Sequence, residues 1–547
     1  MRKAFLWTLI FVGAAALAVV GWLGAAGPAA PAAAAETQEN PAANCRFGVN
    51  NRPGLPANQW IPTLGAGFYL NFTPVPKGPA VPPEAEFVPQ IRMQQDRAPD
   101  GRYLPTYVIT PTLTFDANGL GPIVLANPGR LWLAGNEPDV ANPVQDNMYP
   151  AVYARAYREI YHFIKALDPT AYVANAALSM MTPGRMQYMD IVWDTYLREF
   201  GTPMPVDVWN MHLYILSEYN PYNESKQGDG KVALGTDPAI AKLDSGGSAA
   251  RCPLDEVYCR AEHDSLEIFI EQIRNMRQWM QARGQQNKPL ILSEWSILYP
   301  FVDYDDPVNP TECFLMDELG QCFTPARVTR YMEVTLDYLL NARDPALGYP
   351  ADDYRLVQQW KWYSLSTLPE WSGGSSNLLV DNYADFARGD PAALTLMGQT
   401  FRRIVSEQTN TVNLVAGRAE TAVGHVGPNG LADVPIGIGF HNSGTTGVAE
   451  PFSVTFYADA ALTQVIGTAE ITRATHGVIN GCAWGRNSDR AGVRWEGLPV
   501  GVYRFWAKVD SDNVITNETS EADNVVGGVV RVFPYGTHLP VVGSWRK

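Results

Sequence analysis

Eight short apolar runs, separated by stretches with helical periodicity, constrain this chain more than any other feature. They are Arg46–Asn50, Gly65–Phe72, Phe87–Arg92, Leu131–Asn136, Tyr172–Leu178, Val206–Tyr214, Pro289–Glu294 and Val357–Trp362. A strand covered on both faces reads as an apolar run rather than an alternation. Between several runs a helix is plain. Tyr153, Tyr157, Ile160, Tyr161, Ile164 and Leu167 share one face after Pro150, and Met189, Val192, Trp193, Tyr196 and Phe200 share another. Leu266, Phe269, Ile270, Ile273, Met276 and Met280 form a third face, ended by Gly284. Strands alternating with helices in this number predict a closed parallel (β/α)8 TIM barrel with enlarged loops. The stretch from Ile91 to Leu131 is rich in Pro and Gly and gives no readable helix. A last helix, Ala392–Val405 after Asp390-Pro391, closes the barrel.

Beyond about residue 410 helical periodicity stops. Val434–Phe440, Phe452–Tyr457, Gly501–Val509 and Val525–Val532 read as strands between Gly-, Asn- and Asp-rich turns, which predicts an all-β sandwich. The expected organisation is a leader over 1–35, a linker over 36–44, the barrel over 45–409, the sandwich over 410–535 and a tail over 536–547, with a barrel that folds without the sandwich. The leader reading rests on Met1-Arg2-Lys3, an apolar run from Ala4 to Leu23, and small residues and prolines from Ala25 to Ala35. The run is long enough to remain as an anchor. The chain is therefore expected to be secreted, or held at the surface of a bacterium, with membrane contact only through that segment.

A net charge of -15 excludes nucleic acid as the natural partner, because phosphate binding needs a basic surface. Export favours disulfides. Cys252 with Cys259, and Cys313 with Cys322, are close in sequence within long loops and are expected to pair. No histidine lies at zinc-ligand spacing around them. Asp303, Asp305 and Asp306 fit no established calcium loop, so neither metal nor cofactor is expected.

Two of the runs end on glutamate. One reads Leu131-Trp132-Leu133-Ala134-Gly135-Asn136-Glu137-Pro138-Asp139, the fourth strand, and the other Pro289-Leu290-Ile291-Leu292-Ser293-Glu294-Trp295, the seventh. A carboxylate closing an apolar strand is costly unless it is used or paired. Two of them at one barrel mouth supply what glycoside cleavage needs: an acid for the leaving oxygen and a carboxylate to attack the anomeric carbon. Strands four and seven face one another across the mouth, which predicts the close spacing of a retaining enzyme, about 5–5.5 Å. His212 and Tyr214 share strand parity, so both point into that mouth.

These segments, with Gly67-Phe68-Tyr69-Leu70-Asn71-Phe72, Glu86-Phe87-Val88-Pro89 and Val206-Asp207-Val208-Trp209-Asn210-Met211-His212-Leu213-Tyr214, resemble clan A glycoside hydrolases, and within it the family 128 catalytic core of endo-β-1,3-glucanases. The family's usual Met and aromatic after the proline are replaced here by Gln90-Ile91-Arg92. The resemblance implies that Glu137 is acid/base and Glu294 nucleophile. It implies that Asn136 binds the sugar 2-hydroxyl, that His212 or Tyr214 orients Glu294, and that Trp362 is an aromatic platform. Tyr69, Asn71, Arg92 and Trp295 are further subsite candidates. The substrate implied is β-glucan or another β-linked polysaccharide, cut by a monomer. An exo-acting glycosidase and a surface adhesin that binds glycan without cutting it are the alternatives.

The long loops Ile215–His263 and Ile297–Thr324 carry Tyr219, Tyr222, Tyr299, Phe301 and Tyr304 and are expected beside the cleft. In the last domain, Ala507-Lys508-Val509-Asp510-Ser511-Asp512-Asn513 with Glu518, Glu521 and Asn524 resembles a bacterial adhesion-related domain of immunoglobulin type.

Overall fold

The computed structural model describes residues 40–51, 57–219, 232–241, 256–258, 262–299, 316–317, 319–367, 373–379, 394–484, 486 and 489–534. The N-terminal leader, Tyr222, Cys252, Cys259, Phe301, Tyr304, Cys313, the Asp303, Asp305 and Asp306 turn and the tail lie outside the described residues. Cys322 is disulfide-bonded, while its expected partner Cys313 is among those outside.

All eight apolar runs form strands. They are β1 (Asn44–Asn50), β2 (Ala66–Leu70), β3 (Glu86–Phe87) with β4 (Gln90–Arg97), then, past β5 (Tyr103–Thr110), β6 (Leu131–Asn136), β7 (Tyr172–Ala177) and β8 (Trp209–Leu213). A small antiparallel pair, β9 (Glu218–Tyr219) and β10 (Glu256–Tyr258), precedes β11 (Leu290–Trp295) and β12 (Gln359–Trp362). β3 and β4 are one extended segment broken at Val88-Pro89. The first part pairs in parallel with β2 and the second with β6. From there the parallel pairing runs through β7, a bridge from Ala174 to Val208 of the β8 segment, then β11, β12 and β1. β1 pairs with β2, so the series of pairings returns to its start.

Side chains alternate across this ring. Phe68, Leu70, Val88, Leu131, Leu133, Ala174, Val208 and Ile291 fill its interior. Residues of opposite parity, such as Tyr69, Trp132, Trp209 and Leu292, bury themselves against the helices outside. Those helices stop and start on sequence signals. Ser265 accepts from Ile268 N–H to open Leu266–Ala282, Thr324 accepts from Arg327 N–H to open Pro325–Asn341, and Thr395 opens Leu396–Ser406. The unreadable stretch after the third strand is a hairpin: β4 continues to Arg97 and β5 returns antiparallel, followed by the short helix Leu120–Leu125.

The C-terminal part consists of β13 (Leu414–Ala419), β14 (Ala422–His425), β15 (Ala432–Asn442), β16 (Phe452–Tyr457), β17 (Val465–Ile471), β18 (Asp489–Leu498), β19 (Gly501–Lys508) and β20 (Val525–Phe533). They make two sheets, β13-β15-β18 and β14-β20-β19-β16-β17, around one core that includes Val434, Phe440, Val454, Phe456 and Phe505. Its Asp- and Glu-rich motif organises a turn: Asp510 accepts from the N–H groups of Val514 and Ile515, and Glu518 accepts from Leu414 N–H.

This β unit seats against the amino ends of the ring strands. Cys45, near the start of β1, is disulfide-bonded to Cys482, 437 residues away, a pairing the sequence did not suggest. Tyr349 donates to the Trp484 carbonyl at 3.0 Å, the Arg46 guanidinium lies 5.0 Å from the centre of the Trp484 ring, and Arg46 is ion-paired with Asp352 at 2.6 Å. The clip closes so long a loop that it removes much freedom from the unfolded chain. Cys482→Ser is expected to lower stability by about 2–5 kcal/mol, read as a lower Tm under non-reducing conditions. An unchanged Tm would show that the contacts around Trp484 hold the junction unaided.

Candidate active site

At the opposite, carboxyl ends of the strands, two backbone irregularities aim the two glutamates. Gly135 (φ 112°) and Glu137 (φ 45°) both have positive φ at the end of β6. A side chain at Gly135 would meet Asp146 Oδ2 at 2.7 Å and Ala176 Cβ at 2.8 Å, so this turn requires glycine. A left-handed glutamate is strained by about 1–2 kcal/mol and persists because its surroundings fix it. Glu137 N–H donates to Ala177 O, and Asp146 accepts from Asn136 N–H at 2.6 Å. Asp139 is ion-paired with Arg185, which also holds Glu218 at 2.6 Å, all three fully buried. That triad ties together the segments that follow β6, β7 and β8.

The second irregularity lies in β11. Leu292 pairs with Met211 of β8, yet Glu294 pairs with His212, so one residue is looped out at Ser293. By strict alternation Glu294 would face the helices, as Leu292 does. The bulge resets the parity and turns it into the mouth beside His212.

The result is a compact group. A carboxylate oxygen of Glu137, one of Glu294 and a ring nitrogen of His212 all lie within 4.8 Å of one another. His212 Nδ1 is 2.8 Å from Glu137 Oε1, and its Nε2 is 3.5 Å from Glu294 Oε1. Tyr214 O–H donates to Glu294 Oε2 at 2.7 Å. Burial pushes the Glu294 carboxyl up to about 7; Glu137 adds to the rise, while His212, Tyr214 and Arg92 oppose it. Burial likewise holds His212 below its ordinary value, against the pull of Glu294 and Asp139. A neutral imidazole therefore sits between the two carboxyls.

A cavity of about 370 Å³ opens over this group. Among the described residues it is lined by Asn136, Glu137, Tyr214 and Glu294, with Arg92 and Gln145 on one side and Phe72, Tyr363, Ser364 and Leu298 on others. Asn136 accepts from Gln90 Nε2 and donates to Gln145, so its amide is fixed from both ends. Arg92 is ion-paired with the buried Asp146 at 2.6 Å.

Four other candidates fall elsewhere. Trp362 and Trp295 are fully buried, edge to face at 4.5 Å, with Trp362 donating to Ser376 O. Both belong to the layer between ring and helices, and at this strand end it is the next residue, Tyr363, whose ring lines the cavity. Tyr69 faces the helices against Phe87 because its parity is opposite to that of Phe68 and Leu70. Asn71 is buried, accepting from Thr73, and Phe72 lines the cavity in its place through a left-handed turn (φ 61°). Of the loop aromatics, Tyr299 stacks on Phe323 at 4.5 Å and lies 4.7 Å from the His263 ring.

The raised Glu294 has a thermodynamic signature. Between its ordinary 4.5 and about 7, the folded protein binds a proton that the unfolded chain has lost, so stability falls as pH rises through that window. Glu294→Gln removes this titration. Its Tm should exceed that of the parent by a few degrees at pH 8 and differ little at pH 5. Equal shifts at both pH values would contradict the raised carboxyl.

No family model matches the chain, and no curated protein matches it. Among solved structures it is similar to a GH128 (subgroup I) endo-β-1,3-glucanase from Amycolatopsis mediterranei in complex with laminaritriose, at 15% identity over 65% of this chain and 98% of that one, TM-score 0.35. It is similar to a GH128 (subgroup VII) oligosaccharide-binding protein from Cryptococcus neoformans, at 13% identity over 68% of this chain and 100% of the other, TM-score 0.33. It is also similar to the CARDB domain of a Pyrococcus furiosus protein in complex with di-metal ions, at 21% identity over 23% of this chain and 88% of that chain, TM-score 0.14.

Proposed function

We propose that this chain is an exported, retaining glycoside hydrolase that cuts within β-linked polysaccharide, with β-1,3-glucan the first substrate to test. We read the ring as a (β/α)8 barrel and the C-terminal unit as immunoglobulin-like. The single observation that carries the activity is the pair of buried carboxyls, oxygens within 4.8 Å, bridged by His212. That spacing favours direct attack by one carboxylate over the wider gap an inverting enzyme needs for a water, about 6.5–9.5 Å. The disulfide between Cys45 and Cys482 favours export into an oxidising compartment.

In this reading Glu294 attacks the anomeric carbon while Glu137 gives its proton to the leaving oxygen. Glu137 then takes a proton from the water that releases the sugar from Glu294. The hydrogen bonds suit that division of labour. A protonated Glu137 donates to His212 Nδ1, leaving the Nε2–H of a neutral ring to face an ionised Glu294, which also accepts from Tyr214. Arg92 on the cavity wall adds positive charge beside the nucleophile.

The test is a panel of laminarin, mixed-linkage glucan, xylan, mannan and aryl β-glycosides. Glu294→Ala is expected to abolish turnover in a folded protein. Glu137→Ala should lose about 10²–10⁴-fold on polysaccharide and far less on aryl glycosides, whose leaving group needs no proton. NMR should show the β anomer formed first. An α product, or wild-type rates from both variants, would overturn the assignment.

A further inference from the structure

Strand β12 puts Trp360 and Trp362 outward among the helices, so Lys361 between them points into the ring. Its side chain is fully buried. Its ammonium lies 4.2 Å from the centre of the Phe68 ring and has no hydrogen-bond acceptor among the described residues. Buried, unpaired cations are rarely kept without a use. Space has been made for this one. Gly48 of β1 is its register partner, and a Cβ there would meet Phe68 Cε1 at 2.5 Å and Lys361 Cγ at 2.8 Å. On its other side Trp360 pairs with Leu292 and Trp362 with Trp295, which sets Lys361 opposite the Ser293–Glu294 bulge.

We propose that Lys361 is a positioning residue for Glu294: its ammonium, housed inside the ring opposite the bulge, favours the ionised carboxylate without touching substrate. The proposal rests on the hydrolase reading above. Charges from every side bear on it. Glu294 is faced by His212 from β8, Tyr214 just beyond it, Glu137 from the end of β6 and Arg92 from β4. Lys361 is faced by Glu294 and by Glu86 of β3, itself 3.8 Å from Arg130 and 3.8 Å from Arg486. Burial takes the Lys361 ammonium down to about 7, with Glu86 and Glu294 resisting, and Lys361 in turn disfavours a charged His212. His212, Tyr214 and Arg92 already favour the ionised Glu294, so the expected effect of Lys361 is modest.

Removing a nearby cation makes Glu294 harder to ionise. Lys361→Met, which keeps the length and apolar stem, should move the acidic limb of kcat/KM up by about half a pH unit, leave KM at the plateau unchanged and raise Tm at pH 6. Glu86→Gln, at the amino end of its strand, weakens the charge on Lys361 and should move the limb the same way by less. It also serves if Lys361→Met does not fold. A carboxyl ¹³C NMR titration of the full chain, with Glu294→Gln to assign the resonance, reads the same shift without turnover. A shifted Glu294 titration in a protein that cleaves no sugar would sink the hydrolase reading and keep this one. An unmoved titration in folded Lys361→Met, or a rate loss equal at every pH, would overturn this proposal.

Discussion

Two buried carboxyl groups held within 4.8 Å of one another are the constraint around which the ring mouth is arranged. If both ionised, their repulsion would be about 3–4 kcal/mol at an effective dielectric of about 20. The molecule meets this by withholding one charge and surrounding the other. Glu294 ionises only near neutral pH, and Glu137 apart, the groups that bear on it are donors or a cation: Tyr214, His212 and Arg92. A neutral His212 between the carboxyls is the natural consequence, since a second buried cation there would trap both glutamates in the same ionised state.

Holding that pair requires backbone that regular strands cannot supply. Glu137 reaches the mouth through a left-handed turn and Glu294 through a bulge. Both departures are stabilised from outside the site. Asp146 grips the backbone at Asn136 and the side chain of Arg92 together, and burial raises its own carboxyl to about 6 despite that arginine. The Asp139–Arg185–Glu218 triad does the same for three successive loops. A buried triad of this kind adds little net stability over a well-packed apolar core, but losing any one member would strand the others. Its place directly behind the strained glutamate argues that it serves geometry.

The repeating parts of the architecture were legible in the sequence and the exceptions were not. Leu131–Asn136 forms a strand with the expected bounds, and the face of Tyr153, Tyr157, Ile160 and Ile164 is buried. Periodicity describes regular elements, so it located Glu137, Glu294, His212 and Tyr214 at strand ends, but not the turn and the bulge that aim the two glutamates. It passed over Tyr363 and Phe72 by a single residue each. At Phe72 the chain turns left-handed after β2, and alternation carried beyond the strand picks its neighbour Asn71. Gln145 and Asp146 sit in a loop, where no period exists to signal them. The link between Cys45 and Cys482 joins residues 437 apart, and nothing local marks either as the other's partner.

That long-range link also bears on how the site stays assembled. The ring closes where β1 meets β12, with Phe47 opposite Trp360 and Val49 opposite Trp362. These strands are more than 300 residues apart in sequence, so their pairing forms against a large loss of chain entropy. The molecule concentrates fasteners at the amino end of this seam. Arg46 pairs with Asp352 and donates to Gln358 O just before β12, Gln359 donates to Cys45 O, and Cys45 itself is bonded to the β unit. Further along the same seam lies Gly48 beside Lys361, and past it Trp362 precedes the cavity residues Tyr363 and Ser364. The β unit, though it stands at the far end of the ring from the glutamates, therefore acts on the strand pair that carries one wall of the site. A slip of one residue between β1 and β12 would turn Lys361 outward and Trp362 inward, and the hydrogen bonds of Gln359 to Cys45 O and of Arg46 to Gln358 O across the seam oppose such a slip.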